Sequence, residues 1–124
     1  MNSQRTKHIL LYAWLAFILI ISIIPGRHFP KAQLAELDKF AHIFLYLVLL
    51  YLMLLAHIGE YNPKFPKLKI ILLIMIGSVY GVMIEIMQGM IFATRTFEIT
   101  DMIANSIGCL LGLLLFLSLN KLKL

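Results

Sequence analysis

The chain has 124 residues, of which 61% are apolar and only 14% charged, with a net charge of +5 and a mean hydropathy of +0.93. An average soluble domain is roughly 45–50% apolar and about 25% charged, and a chain this small buries too little surface to hide such an apolar excess from water. Soluble enzymes, disordered tails and free nucleic-acid binders are excluded, which leaves a single integral membrane domain over residues 1–124.

Four apolar runs follow in chain order, at about 9–25, 40–58, 70–92 and 102–119. A helix needs about 20 apolar residues to cross about 30 Å of hydrocarbon. The first run is short and needs its flanking residues to complete a span. It is read as a retained helix, because Ser22-Ile23-Ile24-Pro25-Gly26 lacks the small-residue pattern of a signal cleavage site. Strand-like alternation is absent, which excludes a closed barrel. The expected fold is all-α: four transmembrane helices in a compact bundle.

The basic residues lie in short groups between these runs, so they read as topology signal and no nucleic-acid partner is expected. With the N-terminus inside, seven of the 11 basic residues are cytoplasmic (Arg5, Lys7, Lys64, Lys67, Lys69, Lys121, Lys123) and four are outside (Arg27, Lys31, Lys39, Arg95). Four of the six acidic residues, Glu36, Asp38, Glu98 and Asp101, fall at the outer side. The expected topology is N-in, C-in. The turn-rich connection from Gly59 to Lys67 carries Asn62-Pro63 and Pro66. Cys109 is the single cysteine, so no intramolecular disulfide is expected.

Ionisable groups inside a span are costly and face the bundle interior or a cavity. In the third run Gly77, Gly81, Glu85 and Gln88 share one helical face, small residues first and polar ones after. In the fourth, Asp101, Asn105, Gly108 and Gly112 repeat the scheme in reverse, with Thr100 or Asp101 expected to cap the first turn. In the second, Asp38, His42 and Tyr46 recur every four residues, and Asp38 is expected to accept a hydrogen bond from the His42 ring. Ser22 is a minor contributor from the first. At a rise of about 1.5 Å per residue, His42 and Asn105 are expected about 6 Å below their helix starts and Glu85 about 10 Å below Phe92. Asp38, His42, Glu85, Gln88, Arg95, Asp101 and Asn105 are thus expected around one outward-facing cavity, as a ligand-binding set.

Taken singly, each of these residues has a plainer role. Asp38 and Asp101 suit helix caps, Glu85 and Gln88 suit interhelical hydrogen bonding, and the glycine pairs suit close helix packing. Met83, Met87 and Met90 read as lipid-facing or core filler, and Tyr46 and Tyr80 as structural. The convergence at one depth is what favours a site.

The pieces Asp38-Lys39-Phe40-Ala41-His42, Glu85-Ile86-Met87-Gln88, Arg95, Asp101-Met102-Ile103-Ala104-Asn105-Ser106-Ile107-Gly108 and Gly112, in this order, resemble the VanZ-like family of bacterial membrane proteins. The resemblance covers roughly Ser22 to Gly112. One departure is Glu98, where the family more often has a small polar residue; it adds an acid near Arg95 and weakens the case for anion binding there. The family is named for a teicoplanin-resistance protein. The resemblance implies a multi-pass protein of the bacterial cytoplasmic membrane with an envelope function, without fixing a mechanism.

Three functions compete. The first is a non-enzymatic envelope protein whose cavity holds a lipid or a lipoglycopeptide, with Arg95, Gln88 and His42 at the polar head. Its expected partners are membrane lipids and a lipoglycopeptide or lipid-linked envelope precursor; a contribution to glycopeptide resistance is what the family resemblance alone would add. The second is an intramembrane enzyme on a lipid-linked substrate, with Asp38 orienting His42 as base and Glu85 as acid. That reading lacks a nucleophile, because Ser106 points away from the stripe and Cys109 lies deeper and off it. The non-enzymatic reading ranks first. Proton-coupled transport ranks last, because the cytoplasmic halves of the helices carry few polar side chains. No cofactor is expected. A metal on Asp38, His42, Glu85 and Asp101 is conceivable, but a single histidine without H-x-x-x-H spacing argues against zinc, so no metal is expected. The sequence fixes neither oligomeric state nor ligand.

Overall fold

The computed structural model describes residues 3–24, 31–59, 66–91 and 98–120, with side chains in the second helix from Glu36 onward. Four α-helices account for nearly all of it: α1 (Ser3–Ile23), α2 (Lys31–His57), α3 (Lys67–Ile91) and α4 (Ile99–Leu119). All four are long and apolar enough to cross a membrane, and there is no strand among the described residues. At about 1.5 Å per residue, the shortest, α1 and α4, are about 31 Å long, matching a hydrocarbon core of about 30 Å.

The apolar runs underestimate the helices at their polar ends. α1 begins at Ser3, not near Ile9, because its first two turns are polar yet still useful: the Gln4 side-chain amide donates to the carbonyl of Ala56 at the end of α2. α2 begins at Lys31, nine residues before the apolar run, because Lys31-Ala32-Gln33-Leu34-Ala35-Glu36-Leu37 is made of good helix formers. His42 therefore lies well inside α2, about 16 Å from its start and not about 6 Å. α2 ends where Gly59 takes a positive φ of 84°, which an L side chain resists, and the Ile58 N–H bonds back to the Leu54 carbonyl at 2.8 Å.

The first turn of α4 corrects another expectation. Its N-cap is Glu98, in an extended conformation and without a side-chain cap bond, so neither Thr100 nor Asp101 caps the helix. The Thr100 hydroxyl instead donates to the Glu98 carboxylate at 3.4 Å, and Asp101 is already the third helical residue, buried.

α2 is the central helix. It touches each of the others, and its pairing with α4 is the most extensive in the molecule, while α1 and α4 do not meet. The most deeply buried side chains are correspondingly Tyr46, Leu49, Leu50 and Leu54 of α2, with Phe116 and Cys109 of α4 and Ile18 of α1. The closeness of α2 and α4 rests on glycine. A Cβ at Gly108 would collide with the Ile43 carbonyl oxygen, and one at Gly112 would lie 2.5 Å from that of Leu47.

α1 attaches differently. Its Trp14 indole N–H donates to the Leu45 carbonyl of α2 at 3.0 Å, and its Leu15 carbonyl accepts from the Tyr80 hydroxyl of α3 at 2.8 Å. Around the outside lie many exposed large apolar side chains from all four helices, among them Ile20, Phe44, Val79, Met83, Met90 and Leu114. A water-soluble monomer does not tolerate apolar surface on that scale; lipid tails do. The chain is a multi-pass membrane protein by fold.

Candidate functional site at the polar end of the bundle

Three helices bring polar side chains to one end of the bundle. His42 comes from α2, Glu85 and Gln88 from α3, and Asp101 and Asn105 from α4; all five are buried. Asp38, one turn before His42, is partly open, with 42% of its side chain exposed. The stripes read from the sequence do face inward: Gly77, Gly81, Glu85 and Gln88 are all buried in α3, and Asp101, Asn105, Gly108 and Gly112 in α4.

The centre of the cluster is His42. Its Nδ1 lies 2.8 Å from Asn105 Oδ1 and 3.6 Å from Glu85 Oε1. Its Nε2 lies 3.8 Å from Asp38 Oδ1, beyond hydrogen-bond length. The expectation that Asp38 orients the ring is therefore corrected: Asn105 does so. The reason is the glycine seam. Gly108, one turn below Asn105, lets α4 ride directly on the α2 backbone at Ile43, and this carries the Asn105 amide to the His42 ring.

An amide oxygen accepts, so with Nδ1–H donating to Asn105 Oδ1 a neutral ring would turn its Nε2 lone pair to the Asp38 side. Asp38, His42 and Asp101 each offer one ligand atom, and these three atoms lie within 4.8 Å of one another. Convergence of the stripes in the sequence names these three, with Glu85, as a conceivable ligand set; the packed helices bring Asp38, His42 and Asp101 within that distance. Asp101 Oδ1 and the Tyr46 hydroxyl are buried without a hydrogen-bond partner among the described residues.

Two contributors differ from expectation. Ser22 joins the site through its backbone: its hydroxyl is turned back to the Ile18 carbonyl at 2.6 Å, and its own carbonyl accepts from Gln88 Nε2 at 3.3 Å. Tyr46, read as structural, does fill that role between Gly81 and Gly108, but its hydroxyl also belongs to the buried polar set. Its four-residue spacing from His42 is the signal that marks it. Arg95 lies outside the described residues.

The candidate nucleophiles stay apart from the cluster. Ser106 is exposed and bonds back to the Met102 carbonyl at 3.0 Å, as its phase on the helix implied. Cys109 is buried but packs toward Gly77, one helical turn deeper than Asn105. Met83 and Met90 are exposed, as expected of lipid-facing filler, and line a shallow apolar groove on α3 with Ile86, Met87 and Ile91.

At the opposite end of the bundle a second polar group forms. The His8 and His57 rings meet edge to face at 5.3 Å, and Lys69 Nζ donates to the His57 carbonyl at 2.5 Å. Between the two ends the core is mainly apolar side chains and glycine contacts, crossed by the Trp14 and Tyr80 hydrogen bonds.

No curated protein and no solved structure gives a significant match to the chain. The family model described as VanZ/LLP1 matches residues 2–120, which takes in all four helices and every residue of the polar cluster. A match over nearly the whole chain, on a four-span bundle with the motif residues gathered at one end, shows that this chain belongs to the VanZ/LLP1 family.

Proposed function

We propose that this protein is a non-enzymatic envelope protein of the bacterial cytoplasmic membrane, with both termini inside. Its polar cluster opens outward and holds the polar head of a lipid, a lipoglycopeptide or a lipid-linked envelope precursor. The observation that carries the reading is the gathering of buried His42, Glu85, Gln88, Asp101 and Asn105 from three helices beside half-exposed Asp38. Caps and interhelical bonds need not collect at one place, whereas a binding site does. The distribution of basic residues supports the orientation.

Resistance supplies the functional test. Expression in a glycopeptide-sensitive Gram-positive host is expected to raise tolerance to an acylated glycopeptide more than to a non-acylated one. Arg95→Ala or Gln88→Leu should remove the effect at unchanged protein level. Equal tolerance to both compounds, or none from a well-expressed protein, would count against a lipoglycopeptide ligand. Orientation is checked with single cysteines at positions 31, 64 and 95 and an impermeant maleimide, the native Cys109 being buried. Labelling in intact cells at 31 and 95 is expected; labelling at 64 would reverse the topology.

A second reading rests on the two carboxylates near the His42 ring, Asp38 and Glu85, at 3.8 and 3.6 Å. It is acid–base chemistry on a lipid-linked substrate, with His42 as base and Glu85 as acid. Glu85→Gln separates the two: mild for a binding protein, severe for an enzyme.

A further inference from the structure

We infer that Asp38, His42 and Asp101 form a binding site for one divalent first-row cation, with Mn²⁺ and Zn²⁺ the ions of matching chemistry. The three ligand atoms lie within 4.8 Å of one another. That is about twice a metal–ligand bond of 2.0–2.5 Å, so one ion reaches all three with small side-chain adjustments. Two carboxylate oxygens and one imidazole nitrogen form a mixed hard and borderline donor set, the set that Mn²⁺ and Zn²⁺ accept.

Two independent observations point to a cation. Asp101 is only 7% exposed, and its Oδ1 has no hydrogen-bond partner among the described residues. A buried carboxylate oxygen in a membrane span is costly until a positive charge meets it. The second observation is the state of His42. Its Nδ1 lies 2.8 Å from Asn105 Oδ1, an acceptor, so a neutral ring donating there would present its Nε2 lone pair on the side of Asp38. Metal-bound histidines are held in this way, one nitrogen on the ion and the other donating to an oxygen. Glu85 Oε1 lies 3.6 Å from the same Nδ1, an acceptor behind the ring that, when ionised, makes Nε2 a better donor.

Charge and access agree with this assignment. The three ligands alone, two ionised carboxylates and a neutral imidazole, would carry −2 and match a divalent ion, with Glu85 and Lys39 as charges of opposite sign around them. Asp38 is 42% exposed against 9% for the His42 side chain, so the open side by which an ion would enter is that of Asp38. A carboxylate or phosphate oxygen of an incoming ligand suits the ion's remaining coordination positions.

The test uses the full chain in detergent, stripped with chelator and titrated with Mn²⁺ alone while electron paramagnetic resonance reads the bound ion. No lipid is present, so the outcome is independent of the lipid-binding proposal. One Mn²⁺ per chain is expected, with nitrogen coupling from a single imidazole. Asp101→Asn, which keeps side-chain size, should abolish binding, and His42→Gln should remove the nitrogen coupling. Asn105→Ala should weaken binding by about 10–100-fold by freeing the ring. His57→Ala, at the far end, should bind as the parent does. Helical circular dichroism and elution position establish that each variant is folded. Absence of bound Mn²⁺ in the folded parent, with no Zn²⁺ retained after desalting either, would overturn the site, as would binding lost in His57→Ala but kept in Asp101→Asn.

Discussion

The α2–α4 seam has two halves that obey different physics. In the lower half Gly112 lies on the Leu47 carbonyl, and Phe116, Leu50 and Leu54 are fully buried, leaving nothing polar to satisfy. In the upper half the same two helices hold Asp101, Asn105 and His42, and not every polar atom is satisfied. The lower half makes the seam close; the upper half uses that closeness to set the His42–Asn105 distance. Apolar packing and the polar cluster are thus separated along one helix pair, with Gly108 at the junction.

Substitutions can test that separation, beginning with the largest effect. Phe116→Ala removes a fully buried ring from the lower half and should destabilise the protein by about 3–5 kcal/mol, read as a lowered thermal unfolding midpoint in detergent. Tolerance or ion binding, measured on whatever remains folded, should persist, because no cluster residue touches Phe116. Equal loss of both in folded protein would mean that the halves are not separable.

Gly108→Ala tests the junction. Its Cβ meets the Ile43 carbonyl oxygen, so the helices must part, at a cost of about 1–3 kcal/mol. The same shift should lengthen the His42–Asn105 contact and weaken function beyond the stability loss. The control is Gly77→Ala, whose Cβ would meet only Cys109 Sγ and Met53 Sδ, both at 3.7 Å. Ordinary contact combined with better helix propensity should leave it neutral or about 0.5–1 kcal/mol more stable. A destabilised Gly77→Ala protein would show that the α3–α4 approach is tighter than its geometry.

Smaller effects are expected from single hydrogen bonds. Asn105→Leu should cost about 0.5–2 kcal/mol of stability while removing function, since the His42 ring loses its orienting acceptor. Trp14→Phe, which deletes the bond to the Leu45 carbonyl, should cost about 0.6 kcal/mol and leave function intact. Ser106→Ala, exposed and away from the cluster, should stay within about 0.5 kcal/mol of the parent in unfolding experiments.

Periodicity alone identified four spans and the inward faces of α3 and α4, because the cost of burying charge in lipid forces Glu85, Gln88, Asp101 and Asn105 onto a shared interior. It missed the polar first turns of α1 and α2, because hydropathy registers apolar character and not helix propensity. Thus Gln4 reaches Ala56, and Asp38 and His42 lie far inside α2. It also placed the cap of α4 at Thr100 or Asp101, where residue type suits capping but the backbone turns into the helix at Glu98.

Partner choice within the cluster was decided by tertiary structure. Along α2 the nearest acceptor for His42 is Asp38, four residues away, and local spacing can propose no other. The chosen partner is Asn105, because two glycines of α4 bring that helix onto the α2 backbone, and their distance from a facing carbonyl is not written in either helix. The sequence names Asp38, His42 and Asp101, with Glu85, as a conceivable ligand set, but the packed bundle decides that the first three fall within 4.8 Å, and that the carbonyl of Ser22 and not its hydroxyl meets Gln88. Composition and period determine which residues must be inside a membrane bundle, because lipid penalises charge wherever it is exposed. Which of them touch depends on how closely the helices approach, and that is a property of the packed bundle.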